Sequence, residues 1–205
     1  MRTSTDDVFI NCPFDPDYAP IFRALIFTIY ACGFRPRSAC ELDDGGQTRI
    51  DKIFRLIDEC RYGIHDVSRT ELDTVHHLPR FNMPLELGIF LGAKRYGSKA
   101  QKAKTVLIFD IEKYRYQRFI SDISGMDIHE HGGDPVRALR EMRDWLANVS
   151  RRVLPSGDRV ARIYGNFVSD LPNLAARFES SADAIPYVDF ERIVVTWLEQ
   201  APPQE

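Results

Sequence analysis

Hydrophobic and polar positions alternate between two periods along this chain. Asp7 to Cys12 (DVFINC) is a β-branched and aromatic run that predicts a first strand, ended by Pro13 and a polar loop, PFDPDYAP. Ile21 to Cys32 then shows helical spacing with Gly33 as a stop. Phe34 to Ala39 predicts a second strand. Thr48 to Cys60 predicts the most regular amphipathic helix, with Ile50, Ile53, Phe54 and Ile57 on one face. Tyr62 to Val67 reads as a third strand and SRTELDTVHHLPRF as a long irregular connection. A helix follows to about Tyr96, then a solvated linker from Gly97 to Lys104, and the clearest strand, Thr105 to Asp110. Gly125 to Glu130 predicts a fifth strand and Pro135 to Asn148 another helix.

This βαβ alternation predicts an α/β domain over residues 1–150, built on an open parallel sheet of about five strands with helices on both faces. Sites in such sheets collect at the C-terminal ends of the strands. From Leu154 onward strands cease, and two helical stretches, about Gly157 to Phe178 and Asp189 to Glu199, make residues 151–205 a helical C-terminal extension.

Met83 to Ala93 (MPLELGIFLGA) is apolar at nearly every position, and Glu86 is its one ionisable residue. As a helix it would be covered on all sides. Along the same face Ile89, Phe90 and Ala93 offer Glu86 no partner. With Asn82 as N-cap and Pro84 in the first turn, Glu86 falls near the helix start. Two readings follow: a carboxylate settled by the helix dipole and its free amides, which would keep it ionised, or one held in a cleft for chemistry. Asp66, at the predicted end of the third strand, borders the same crevice, and could equally cap the turn that follows. Two carboxylates flanking one cleft are what glycosidic bond cleavage uses.

Bulk properties narrow the field. The chain has 205 residues, 44% hydrophobic and 28% charged, values of an ordinary globular domain. A net charge of -3 gives no electrostatic case for nucleic acid. No apolar run reaches the length of a membrane span, and the start MRTSTDDVF lacks a signal-peptide core, so a cytoplasmic protein is expected. Cys12, Cys32, Cys40 and Cys60 show no metal or disulfide spacing and are expected to behave as small buried hydrophobes. Neither a dinucleotide fingerprint nor a P-loop is present. Gly45-Gly46 admits a phosphate contact or a plain flexible loop. His76-His77 lie in the long connection. His129 and His131 form an H-x-H on the fifth strand without a third ligand, so no metal is expected. Tyr114, Tyr116 and Phe119 interleave with Arg115 and Arg118, either to stack a base or to cover the sheet edge.

The segment Ile64 to Gly92, IHDVSRTELDTVHHLPRFNMPLELGIFLG, resembles the D-[VL]-[ST] … N-[VM]-x-[YF]-E-[LIV]-G-x-A-x-G pattern of the nucleoside 2-deoxyribosyltransferase-like and TIR-like superfamily. The start VFINCPFD and the run RIDKIFRLIDECRYGIHDVS are similar to other parts of it, and the resemblance covers about residues 7 to 110. It implies a flavodoxin-like (Rossmann-like) fold and cleavage of an N-glycosidic bond, with NAD or a related nucleoside or nucleotide as substrate and no cofactor. Glu86 takes the place of the catalytic glutamate and Asp66 that of a substrate-orienting aspartate. The first-loop residues Asn11, Pro13, Phe14 and Asp15, with Ser68, Asn82 and Met83, fall at substrate-binding positions. Pro84 and Leu85 replace the aromatic residue common in the family. The resemblance also implies a homo-oligomer, and a hydrolase of the kind used in bacterial defence. Deoxyribosyl transfer between bases, and a non-catalytic nucleotide-sensing or assembly domain, are the alternatives.

Overall fold

The computed structural model describes residues 4–41, 44–72 and 77–200. Five strands form one sheet: β1 (Ser4–Asn11), β2 (Arg35–Ser38), β3 (Cys60–Asp66), β4 (Thr105–Asp110) and β5 (Ile128–Glu130). All neighbours run parallel in the order β2-β1-β3-β4-β5, the flavodoxin-like arrangement. Around it lie α1 (Ala19–Ala31), α2 (Arg49–Glu59), α3 (Asn82–Tyr96), the single turn α4 (Lys99–Lys102), α5 (Pro135–Ser150), α6 (Gly157–Ala176) and α7 (Tyr187–Gln200).

Alternation along each strand sends side chains to opposite faces. Val8, Ile10, Tyr62, Ile64, Leu107 and Phe109 enter a core shared with α1 and α5. The same core continues outward without a break into α6 and α7, through Phe167, Leu171, Phe190 and Val194. On the other face Phe9 meets Ile53, Leu56 and Phe90 from α2 and α3, while Ile108 and Ile128 meet Leu87 and Tyr116.

One close approach sets the height of α3. A Cβ on Gly63 in β3 would lie 2.6 Å from the Phe90 ring, so only glycine lets this helix settle onto the strand. Because α3 starts at the C-terminal edge of the sheet, Glu86, four residues before Phe90 on the same face, is carried to the ends of β1 and β3.

Three expectations are corrected. The stretch from Gly97 to Lys104 is not a solvated linker. It contains α4, its Gln101 donates to the Asp58 carbonyl (2.9 Å) and carboxylate (2.7 Å), and Lys104 is buried with its ammonium on the Ile57 and Cys60 carbonyls at the end of α2. Those carbonyls lack helical partners, so a cation there satisfies both hydrogen bonding and the helix dipole. Helix α3 is not covered all round, since Leu85 is 56% exposed and burial is confined to Met83, Glu86, Leu87 and Phe90. Cys40 is exposed, while Cys12, Cys32 and Cys60 are buried and none is in a disulfide. Among the described residues no helix is long and apolar enough to cross a membrane.

Candidate functional site

In a 2-1-3-4-5 sheet the connections leave β1 and β3 in opposite directions, and a crevice opens at their C-terminal ends. Asn11, the last residue of β1, sits there, buried. Its amide nitrogen donates to the Met83 carbonyl (2.9 Å) and lies 2.9 Å from His65 Nδ1 in β3. An amide nitrogen only donates, so His65 Nδ1 accepts and its proton is on Nε2, which is buried without a polar partner between the rings of Phe9 and Phe90. Burial, with Lys104 nearby, pushes the His65 pKa down to about 3, which keeps the ring a neutral acceptor. Asn11 thus ties β1, β3 and the start of α3 into one unit.

Asp66 ends β3 and is fully buried. Its Oδ2 accepts from the Tyr18 hydroxyl (2.7 Å) and lies 3.0 Å from His131 Nε2, while Oδ1 accepts from the Ser68 backbone N–H (2.8 Å). The His131 contact is close but poorly aligned for an N–H donor. His131 Nδ1 in turn accepts from the Gly133 N–H (2.9 Å). Both oxygens of Asp66 therefore face protein groups, and the carboxylate joins the β1–α1 loop, the end of β3 and the end of β5. Next to it, Asp110 Oδ1 accepts from Arg115 Nε (2.9 Å) and from the Ile111 N–H (2.7 Å). Arg115 also donates to Thr70 Oγ1 (2.9 Å) and the Ser68 carbonyl (2.7 Å), clamping the β3–α3 connection. Of the two readings of the Tyr114–Phe119 segment, the geometry matches the covering one, with Tyr116 buried and Arg115 committed.

Glu86 differs from every other carboxylate in this region. It is 6% exposed, and among the described residues it has no hydrogen-bond or ion-pair partner. The expected N-cap is absent: Phe81 occupies that place, Asn82 is the first helical residue, exposed, and no side chain caps the helix. Glu86 then falls beyond the first turn, out of reach of the free amides. Burial pushes its pKa up to about 7, opposed by Arg49 at the start of α2. The expected ionisation by helix amides is thus corrected, because desolvation outweighs a dipole effect felt only in the terminal turn. Arg49 also stacks over Phe14, 5.6 Å from the ring centroid, so Glu86, Arg49 and the first loop form one neighbourhood. Cys12 lies within it: burial pushes its thiol up, and Asp66, Glu86 and Asp15 all add to the shift.

The remaining first-loop residues are placed by local bonds. Asp15 accepts from the Tyr18 N–H (3.1 Å) and pairs with Arg69 (3.0 Å), Pro13 is buried and Phe14 is 39% exposed. Gly46 donates to Asp44 (2.9 Å) in a turn leading to the Thr48 cap of α2, which accounts for the diglycine as a loop. His129 pairs with Glu141 (2.7 Å), His76 lies outside the described residues, and among those described no group of three or more His, Cys, Asp or Glu is arranged around a metal. Tyr18, Arg49, Asp110 and the Asp66–His131 contact are not legible in the sequence. Tyr18, Arg49 and the Asp66–His131 contact join elements far apart in the chain, Asp110 holds the neighbouring Arg115 that reaches Thr70 and Ser68, and only the H-x-H spacing drew attention to His131.

The fold and these residues define a flavodoxin-like α/β protein with its polar groups gathered at the β1/β3 switch point. Comparison with family models, with curated proteins and with solved structures gives no match to this chain.

Proposed function

We infer that the protein cleaves the N-glycosidic bond of NAD or a related nucleoside or nucleotide, with Glu86 as the catalytic carboxylate. The observation that carries this reading is Glu86 itself: nearly buried, unpaired among the described residues, at the switch point, and beside Arg49 and an accessible aromatic ring. A buried unpaired carboxylate is costly and is kept where a positive partner arrives. As the C–N bond lengthens, the base leaves with the bonding electron pair and positive charge grows on the anomeric carbon. An ionised Glu86 stabilises that charge strongly in a desolvated site. Water oxygen then bonds to the carbon and its proton passes to Glu86. Arg49 favours the ionised form and offers a cation to a substrate phosphate. Asp66, closed in by Tyr18, Ser68 and His131, acts as a positioning residue and not as a sugar ligand.

The test is release of free base from NAD and from deoxynucleosides, followed by chromatography at high protein concentration, with Glu86→Gln alongside. Turnover is expected to fall at least 100-fold in the variant, and wild-type kcat/KM to rise with pH through about 7 as Glu86 ionises. Failure to release base from any of these substrates, or full activity in Glu86→Gln, overturns the reading. A base appearing on a second sugar only when free base is added marks transfer in place of hydrolysis.

A further inference from the structure

A cavity of about 220 Å³ lies between the first loop and the C-terminal extension. Phe14, Phe22, Ile26, Ile185, Tyr187 and Phe190 give it an apolar, largely aromatic wall. The rings are ordered: Phe14 meets Phe22 edge-on at 5.3 Å, and Phe22 stacks on Tyr187 at 5.8 Å with 19° between planes. Two polar places interrupt this wall: Asp15, which is paired with Arg69 (3.0 Å), and a corner where Arg23 donates to the Ala182 carbonyl (2.7 Å) and lies 3.6 Å from the Asp183 carboxylate. Phe14 belongs to both places, presenting its ring to this cavity and to Arg49, the cation beside Glu86. Pro13, Phe14 and Asp15, which leave the C-terminal end of β1, line the cavity, so it adjoins the switch point.

Size decides what fits. Clefts for drug-sized ligands run from about 300 to 1,000 Å³, so this one holds a single flat ring system and not a whole nucleotide. Aromatic walls favour a flat ring by stacking and edge contacts, as when single bases are held on aromatic side chains. At the Arg23–Asp183 corner the guanidinium carries further N–H donors and the exposed carboxylate further acceptor capacity, which suits the polar edge of a heterocycle. We propose that this cavity binds the heteroaromatic base of the substrate, so that the C-terminal extension, through Ile185 and Tyr187, completes the base site. The inference rests on the N-glycosidic reading for its placement beside Glu86, but binding of a free base is a separate observable.

The probes are free nicotinamide, adenine and thymine, with binding to the full chain read by saturation-transfer NMR. Ile185→Trp and Ala19→Phe each fill the cavity from a different wall, and circular dichroism and thermal unfolding report whether each variant folds. At least one of the three bases is expected to bind the wild type, at least tenfold more weakly to either folded filling variant, and unchanged to Glu86→Gln. Base binding lost on filling, with no turnover in any protein, supports the base site and overturns only the reaction. No base binding to the wild type, or binding that both fillings leave unaltered, overturns the base site even where turnover is intact. If both fillings unfold, Phe22→Leu and Tyr187→Phe replace them: weaker base binding supports the site and unchanged binding to both overturns it.

Discussion

Glu86 carries two consequences of one physical fact. Its folded pKa of about 7 stands above an ordinary glutamate's 4.5, so the folded protein holds the proton more tightly than the unfolded chain. Stability is therefore lost as pH rises from about 4.5 through 7, by about 3 kcal/mol at most. Glu86→Gln, which cannot ionise, should recover most of that at pH 8 and almost nothing at pH 4, read by urea unfolding at both pH values. An equal effect at the two pH values would show that desolvation of charge is not the cause. On the proposed catalytic reading, a carboxylate that weakens the fold where it is ionised fits the usual exchange of stability for activity. At this scale the sequence was informative: one carboxylate in an apolar run is visible without coordinates. Its ionisation was not, because the shift depends on how much of the group the tertiary structure removes from water. Asp66 shows the opposite outcome, as its place at a strand end and a cap on the turn that follows, here the Ser68 N–H, are readable, but Tyr18 and His131 are not.

Elements reach the site because strands and helices pack closely at a few chosen points. Gly63 is the clearest, with the Phe90 ring filling the space a Cβ would need. Gly63→Ala should cost about 1–3 kcal/mol, the usual range for overpacking. Gly63→Ala combined with Phe90→Leu should recover part of it, and a double-mutant cycle of denaturation free energies measures the coupling. Additive costs would mean that α3 is not held off the strand by this contact. Element types were legible from periodicity: all five strands and the main helices occur where alternation and helical spacing place them. The short helix α4 and its buried Lys104 were not, since a lysine-rich run looks solvated until the open carbonyls at the end of α2 are placed above it. That burial pushes the Lys104 pKa down to about 8.

Over the whole molecule, the C-terminal extension is part of the same core and not an appendage to it. Phe27 in α1 meets the rings of Phe167 at 5.0 Å, Tyr164 at 5.3 Å and Trp197 at 5.9 Å, all contributed by α6 and α7. A chain ending at residue 150 would expose that face, and exposed apolar patches of this kind drive association. Such a fragment should aggregate or unfold non-cooperatively, checked by size-exclusion chromatography and thermal melts. A monomeric, cooperatively folded fragment would make the extension a separable domain. The sequence by itself determined the parallel α/β class, the existence of the C-terminal helices and the lone carboxylate of α3, because hydrophobic period, strand alternation and local charge are properties of neighbouring residues. Only the tertiary structure decided that Glu86 stands without a pairing partner among the described residues, that Asp66 is enclosed, and that Tyr187 stacks on Phe22 of α1. Those facts depend on which distant side chains exclude water from one another, and no local pattern records that.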